Sequence, residues 1–196
     1  MFLPERNLEF RAVRWVAIPQ ERITMVRMSA DALKVLGSDF LQGIRTSDMY
    51  SPLRAVVDEG WEMEGDAALL VGFRESYFGE RSRFSTTGGY ETAVNGRGIP
   101  DLDIAELGEE CIHRLMRRGT SFAWEALYAA NMLLPGISLI SRISAAPILM
   151  DPDYFTGYVT FCSSRFSDDA GIGVAIGQSG IQILISSEDC IKPLPN

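Results

Sequence analysis

The sequence predicts an α+β fold, a largely antiparallel sheet packed against two or three helices, and three observations carry that prediction. An amphipathic helical pattern follows Pro100, a two-residue alternation dominates the last third, and no internal repeat or long polar linker divides the chain. With 196 residues, 46% hydrophobic and 22% charged, a single domain over residues 1–196 buries about 70% of its extended-chain surface without disulfides or metals.

Residues 8–18 alternate as Leu8, Phe10, Ala12 and then as Val13, Trp15, Ala17, a parity change that predicts two strand segments joined by a bulge and ended by Pro19. A second short strand is expected over 22–28. Ser29 then has the side chain to cap a helix running to Leu36 and closed by Gly37, with Asp31 favourable in its first turn. Pro52 starts a short helix through the following Leu-Arg-Ala-Val-Val. Residues 67–73 read as an apolar strand, and 74–99 as loop rich in Gly, Ser, Thr and Arg. Within that loop Asn95-Gly96 has the composition of a tight turn between short strands at 91–94 and 97–99.

After Pro100, Asp103 and Glu106 have capping-box spacing, and Ile104, Leu107, Cys111, Ile112 and Leu115 share one helical face. Arg117 and Arg118 meet the negative helix end before Gly119. Thr120 or Ser121 then caps a second helix to Leu134, apolar around most of its circumference and therefore central to the core, and Pro135-Gly136 ends it. The uncharged stretch 126–140 is shorter than the roughly 20 residues of a membrane-spanning helix, so no membrane association is expected. Residues 158–162 alternate. Ile172, Val174 and Ile176 then line one strand face, and Ser179-Gly180 turns the chain into Ile181, Ile183 and Ile185.

Twenty-six acidic against eighteen basic side chains leave a net charge of −8, which disfavours nucleic acid and anionic membranes as partners. The deficit lies in the middle: residues 1–50 carry 7 basic and 6 acidic groups, 51–110 carry 5 and 13, and 111–196 carry 6 and 7. There, Asp58, Glu59, Glu62, Glu64 and Asp66 surround Trp61, a cluster that a basic partner would relieve. The three cysteines, Cys111, Cys162 and Cys190, have neither zinc nor disulfide spacing, and the start Met1-Phe2-Leu3-Pro4-Glu5-Arg6 lacks the apolar run of a secretory signal. The expected compartment is a reducing cytoplasm.

His113 is the only histidine, which excludes a histidine pair or a multi-histidine metal site within one subunit. Two residues from Cys111, it points elsewhere on a helix and is expected on the polar side. Cys162, at a strand end before Ser163-Ser164-Arg165, has the position of a nucleophile but reads as a core cysteine, because no base or oxyanion motif accompanies it. Asp168-Asp169 beside Ala170-Gly171 offers oxygen ligands without the EF-hand pattern and reads as a solvated turn. Ser85-Thr86-Thr87-Gly88-Gly89, with Arg81, Arg83 and Arg97, resembles an anion nest but lacks the P-loop lysine. Glu62 and Glu64 share a strand face and Glu106 and Glu110 a helix face, spacings that serve acid-base chemistry or simply an acidic surface; the latter is the expectation.

Tyr77, Phe78, Phe84 and Tyr90 interleave with the arginines, residue types that stack bases or anchor protein interfaces, with the net acidity favouring a protein, or that simply pack back onto the domain. The expectation is a non-enzymatic protein-binding or inhibitory protein, without cofactor or metal, whose docking surface uses Trp61, Glu62, Glu64, Tyr77, Arg81, Arg83, Tyr90 and Arg97. An immunity-type protein neutralising a basic nuclease or toxin is one concrete form, by analogy in electrostatics alone. The alternative is a small enzyme or a phosphate- or carboxylate-binding domain using the region from Arg74 to Arg97, with Cys162, Asp168 or Asp169 contributing. A third reading is a homo-oligomer formed through an exposed edge of the 172–185 hairpin.

Overall fold

The structure, a computed structural model, describes residues 15–17, 26–167 and 180–196. Along the chain come strand β1 (Trp15–Ala17), β2 (Arg27–Ser29), helix α1 (Ala30–Leu36), α2 (Ser51–Glu59), the hairpin strands β3 (Trp61–Glu64) and β4 (Ala67–Leu70), and α3 (Val71–Glu75). Then follow α4 (Thr87–Val94), β5 (Arg97–Ile99), α5 (Gly108–Leu133), β6 (Leu139–Ile148), β7 (Asp151–Ser163) and β8 (Ile181–Ser186). One sheet has the order β1-β2-β8-β6-β7-β5 with every neighbouring pair antiparallel, and β3 and β4 form a separate two-stranded sheet. The fold is thus α+β with a mainly antiparallel sheet packed against several helices, as the sequence predicts.

Local chemistry explains the elements that match expectation. The Ser29 hydroxyl accepts the Ala32 N–H at 3.1 Å, and Gly37, at φ 82°, ends α1 by donating its N–H to the Leu33 carbonyl. Pro52 sits in the first turn of α2, where its missing N–H is no loss. Alternation in β8 sends Ile181, Ile183 and Ile185 into the main apolar cluster, where they meet Leu139, Ile143 and Ala145 of β6. Helix α5 lies against this face and buries Leu115, Phe122 and Leu127 completely, each contributing roughly 1.5–3 kcal/mol. An aromatic chain ties the parts together: Trp61 on Phe161 (centroids 5.6 Å), Phe161 on Phe122 (5.6 Å), and Phe122 on Phe73 (5.8 Å).

Several expectations are corrected. The two helices expected on either side of Gly119 are one helix, because a bare backbone there lets α5 approach the sheet closely: an added Cβ would lie 2.5 Å from Ile99 Cδ1 and 2.7 Å from Ile143 Cγ2. Arg117 and Arg118 cap nothing. Arg117 grips Asp48 with Nε and Nη2, at 3.0 and 2.9 Å, and Arg118 grips both Asp103 oxygens, at 2.9 and 2.8 Å, with Tyr50 beneath its guanidinium. Asp103 therefore tethers the 100–107 segment rather than opening the helix, which begins at Gly108. Residues 91–94, expected as a strand, are the last turn of α4; Thr86 starts that helix by accepting the Gly89 N–H, so Asn95-Gly96 closes a helix instead of a hairpin. The apolar run 67–73 is strand only to Leu70 before α3 begins. Strand β8, the second arm of the hairpin proposed for self-association, pairs on both sides, with β2 and β6, while its first arm, 172–177, lies outside the described residues. Of the strand expected over 22–28 the structure describes Arg27–Ser29 as strand, with 22–25 outside the described residues, and of the residue 8–18 segment it describes 15–17 as strand. The rest of that segment, Asp168-Asp169, Ile172, Val174, Ile176 and Ser179 lie outside the described residues. Among the described residues no helix is long and apolar enough to cross a membrane.

Candidate functional site

The acidic hairpin and the arginine-bearing segment after it meet in space. Alternation along β3 turns Trp61 inward and sets Glu62 and Glu64 on the other face, opposite Leu69 and Ala67 of β4. Glu64 accepts a 2.7 Å bond from Arg74 Nε and a 3.0 Å bond from the Tyr90 hydroxyl. At the hairpin turn, Asp66 accepts Arg81 Nη2 at 2.6 Å and the Thr87 hydroxyl at 2.8 Å, and its backbone carbonyl accepts Arg165 Nη2 at 2.8 Å. The Arg81 guanidinium also covers the Tyr90 ring, 4.9 Å from its centroid, while Tyr77 and Phe84 pack on the same ring at 6.3 and 5.5 Å. Segment 74–90 is thereby held to the hairpin by charge-assisted bonds around one buried tyrosine.

Electrostatics follow from these contacts. The Arg74 hydrogen bond holds the Glu64 carboxyl below the usual glutamate range against opposition from burial, and the Thr87 hydroxyl does the same for Asp66. Tyr90 titrates higher than a free tyrosine, through burial and then through its bond to Glu64. Arg74 is held more firmly protonated by Glu64.

Of the residues expected at a docking surface, some are inside. Trp61 is 6% exposed, its indole N–H donating to the Ala126 carbonyl at 2.8 Å, and Tyr90 is 1% exposed; both belong to the interior, which corrects their expected placement. Arg97 works within the fold: Nη1 donates to the Val94 and Gly96 carbonyls, Nη2 to the Phe73 carbonyl and the Ser76 hydroxyl, and the group stacks on Phe73. Tyr77 and Arg81 are half-buried, whereas Glu62 and Arg83 are exposed. Phe78 stands out, 98% exposed between them. Exposed Asp58 and Glu59 flank this face from α2, where the Glu59 carboxyl lies over Gly72, and exposed Glu75 and Glu80 continue it.

The residues singled out for chemistry have structural surroundings. Cys162 is fully buried with its thiol pushed up to about 12, first by burial and then by the neighbouring Glu91, so it stays protonated and unreactive at neutral pH. His113, half-buried on α5, donates Nε2–H to the Val35 carbonyl at 3.0 Å and packs edge-on to Phe40; Cys111 on the same helix faces the Phe155 carbonyl instead. The nest-like run 85–89 leads into and begins α4, with Thr86 and Thr87 already engaged by Gly89 and Asp66. Glu106 pairs with Arg114 at 3.4 Å, and Glu110 is exposed. Among the described residues no group of three or more His, Cys, Asp or Glu is placed to hold a metal ion.

Two residues that sequence reading assigned to a strand and a turn are central to the site's construction. Glu91 is fully buried and its carboxyl accepts the Ala68 N–H, the Ser163 N–H and the Ser163 hydroxyl, each at 2.7 Å. Asn95, one turn on, accepts the Leu70 N–H and donates to the Ala68 carbonyl. Together they stand in for a missing neighbour strand along the free edge of β4 and fasten the hairpin to the end of β7. The i, i+4 spacing of Tyr90 with Val94 and of Glu91 with Asn95, behind a Thr86 cap, is the signal that identifies this helix. Comparison with protein-family models, with curated proteins and with solved structures finds no match in any of the three.

Proposed function

We propose that this chain is a recognition protein that binds, and by binding inhibits, a basic protein partner in the cytoplasm, using the hairpin and the 74–86 segment as its docking face. The observation that carries the reading is the pairing of the hairpin carboxylates Glu64 and Asp66 with Arg74 and Arg81. It cancels the charges of Arg74 and Arg81, leaving exposed Asp58, Glu59, Glu62, Glu75 and Glu80 in excess over exposed Arg83 in a region that also carries solvent-exposed Phe78. The carboxylates would steer a cationic surface into contact, and Phe78 would supply apolar area on docking. Because the arginines are already fixed, the face loses little entropy on binding. The three free, buried thiols accord with a reducing compartment. The alternative of an anion or phosphate site in the same region has less support: Arg74 and Arg81 each hold a carboxylate and Arg97 is spent on carbonyls.

Affinity capture from the native cell at low and raised salt tests this reading. The expected result is a basic protein retained at low salt and released as ionic strength rises, with an association rate slowed severalfold by Glu62→Gln and Glu75→Gln together. These two positions are preferred to Glu64, whose loss would also release Arg74 and Tyr90. Absence of a basic partner, or an unchanged rate at low salt, refutes it.

A further inference from the structure

Strands β6 and β7 extend past the rest of the sheet as a two-stranded ribbon over 146–155, with a register shift at Pro147/Ile148 and the turn at Leu149 and Met150. Ribbon tips are ordinarily polar. This one exposes Ile148, Leu149, Met150 and Tyr154 to solvent, next to the fully exposed Leu102 of the segment before α5.

Two hollows lie along the base of the ribbon. One, of about 310 Å³, is floored by Leu102, Ile104, Cys111, Ile148, Tyr154 and Phe155. The other, of about 440 Å³, is floored by Val35, Ile112, Ala145, Pro147, Phe155 and Ile181. Phe155 belongs to both, so the two form neighbouring parts of one apolar tract. Its rim is acidic: Asp101 and Glu106 border the first hollow, and Asp31, Glu109 and Asp153 the second, against a single Lys34. Among the described residues Asp31, Asp101, Glu109 and Asp153 form no ion pair, while Glu106 is paired with Arg114.

We propose that this end of the molecule is a second docking site, and that its occupant is an apolar peptide segment of a partner protein flanked by lysines or arginines. The apolar floor accounts for the segment's centre and the unpaired carboxylates for its flanks. A second copy of this chain fits poorly, because a two-fold contact through the same face sets those carboxylates against their own copies. The site is independent of the hairpin face. Arg165, beyond one end of β7, touches Asp66, whereas Phe155, shared by the two hollows, lies eight residues back along the same strand from Ser163, a separation of roughly 26 Å at about 3.3 Å per residue. A chain with both sites holds two segments at once, or one large basic partner at two points.

The test pans the full chain against two displayed peptide libraries with random apolar centres, one with Lys and Arg flanks and one with Asp and Glu flanks. Binders are expected only from the basic library, weakening with salt. They should lose about tenfold or more in affinity on Leu149→Ser with Met150→Ser, lose severalfold on Glu109→Gln with Asp153→Asn, and be unaffected by Glu62→Gln or Phe78→Ser. Because Leu149 and Met150 are exposed, the variants should melt with wild type, and the rim pair reports independently. No binders, binders from the acidic library, or binders indifferent to both sets of substitutions overturn the proposal. So does a concentration-dependent dimer in sedimentation that Leu149→Ser abolishes, which assigns the face to a second copy.

Discussion

The hairpin face and the ribbon end differ in how their charges are placed. On the hairpin, Glu64 and Asp66 are bonded to Arg74, Tyr90, Arg81 and Thr87, while the outer carboxylates, Arg83 and Phe78 face solvent. At the ribbon Asp31, Asp101, Glu109 and Asp153 form no ion pair among the described residues and border an apolar floor, and Leu149 and Met150 are exposed. The first surface is organised by its own polar bonds and is suited to steering. The second holds its binding free energy as exposed apolar area and is suited to short-range affinity. A protein of net charge −8 thus carries two acidic surfaces of different construction, and the two proposals assign them different work.

The largest separation between the two regions is expected from Glu91→Ala. Three donors on β4 and β7 lose their acceptor in a dry interior, and stability should fall by roughly 3–5 kcal/mol in a urea titration. The hairpin should loosen first, seen as faster amide exchange at Ala68 and Leu70. Equal loosening of 146–155 would show that the regions are not separable.

Gly119→Ala strikes a junction that supports both. Helix propensity favours the change by about 1 kcal/mol, but crowding against Ile99 and Ile143 costs about 1–3 kcal/mol, so a net loss of about 1 kcal/mol is expected from the denaturation midpoint. A gain would mean that α5 shifts freely on the sheet.

Acid sharpens the contrast. Glu64 and Asp66 titrate below their unfolded values, so their contribution is complete above the ordinary carboxylate range, about pH 4, and disappears as pH falls through the depressed folded values. Stability should decline on acidification below about pH 4, and Arg74→Met should make that decline shallower. The smallest effects belong to Phe78→Ser and Leu149→Ser, each within about 0.5 kcal/mol of wild type in stability, with any consequence confined to binding.

Legibility in the sequence followed the range of the forces involved. The Ser29 cap, the Gly37 stop, Pro52 at the start of α2 and the alternation of β8 are set by near neighbours and read correctly. Asn95-Gly96 has a strong local turn signal, but Asn95 is used to satisfy β4, a partner 25 residues away along the chain. Gly119 is a local helix breaker retained for close packing on Ile99 and Ile143. Alternation placed Glu62 and Glu64 together on one face, and the same alternation puts Trp61 on the opposite, buried one. The ribbon is nearly silent in sequence: Ile148-Leu149-Met150 between two prolines resembles a core strand, and only its position past the end of the sheet exposes it.

The most direct test of the hairpin face is amide hydrogen exchange on the chain alone and in complex with the basic protein proposed as its partner. The account predicts protection gained over 61–66 and 74–86 in the complex. Protection gained elsewhere, with those two segments exchanging as in the free chain, would contradict it.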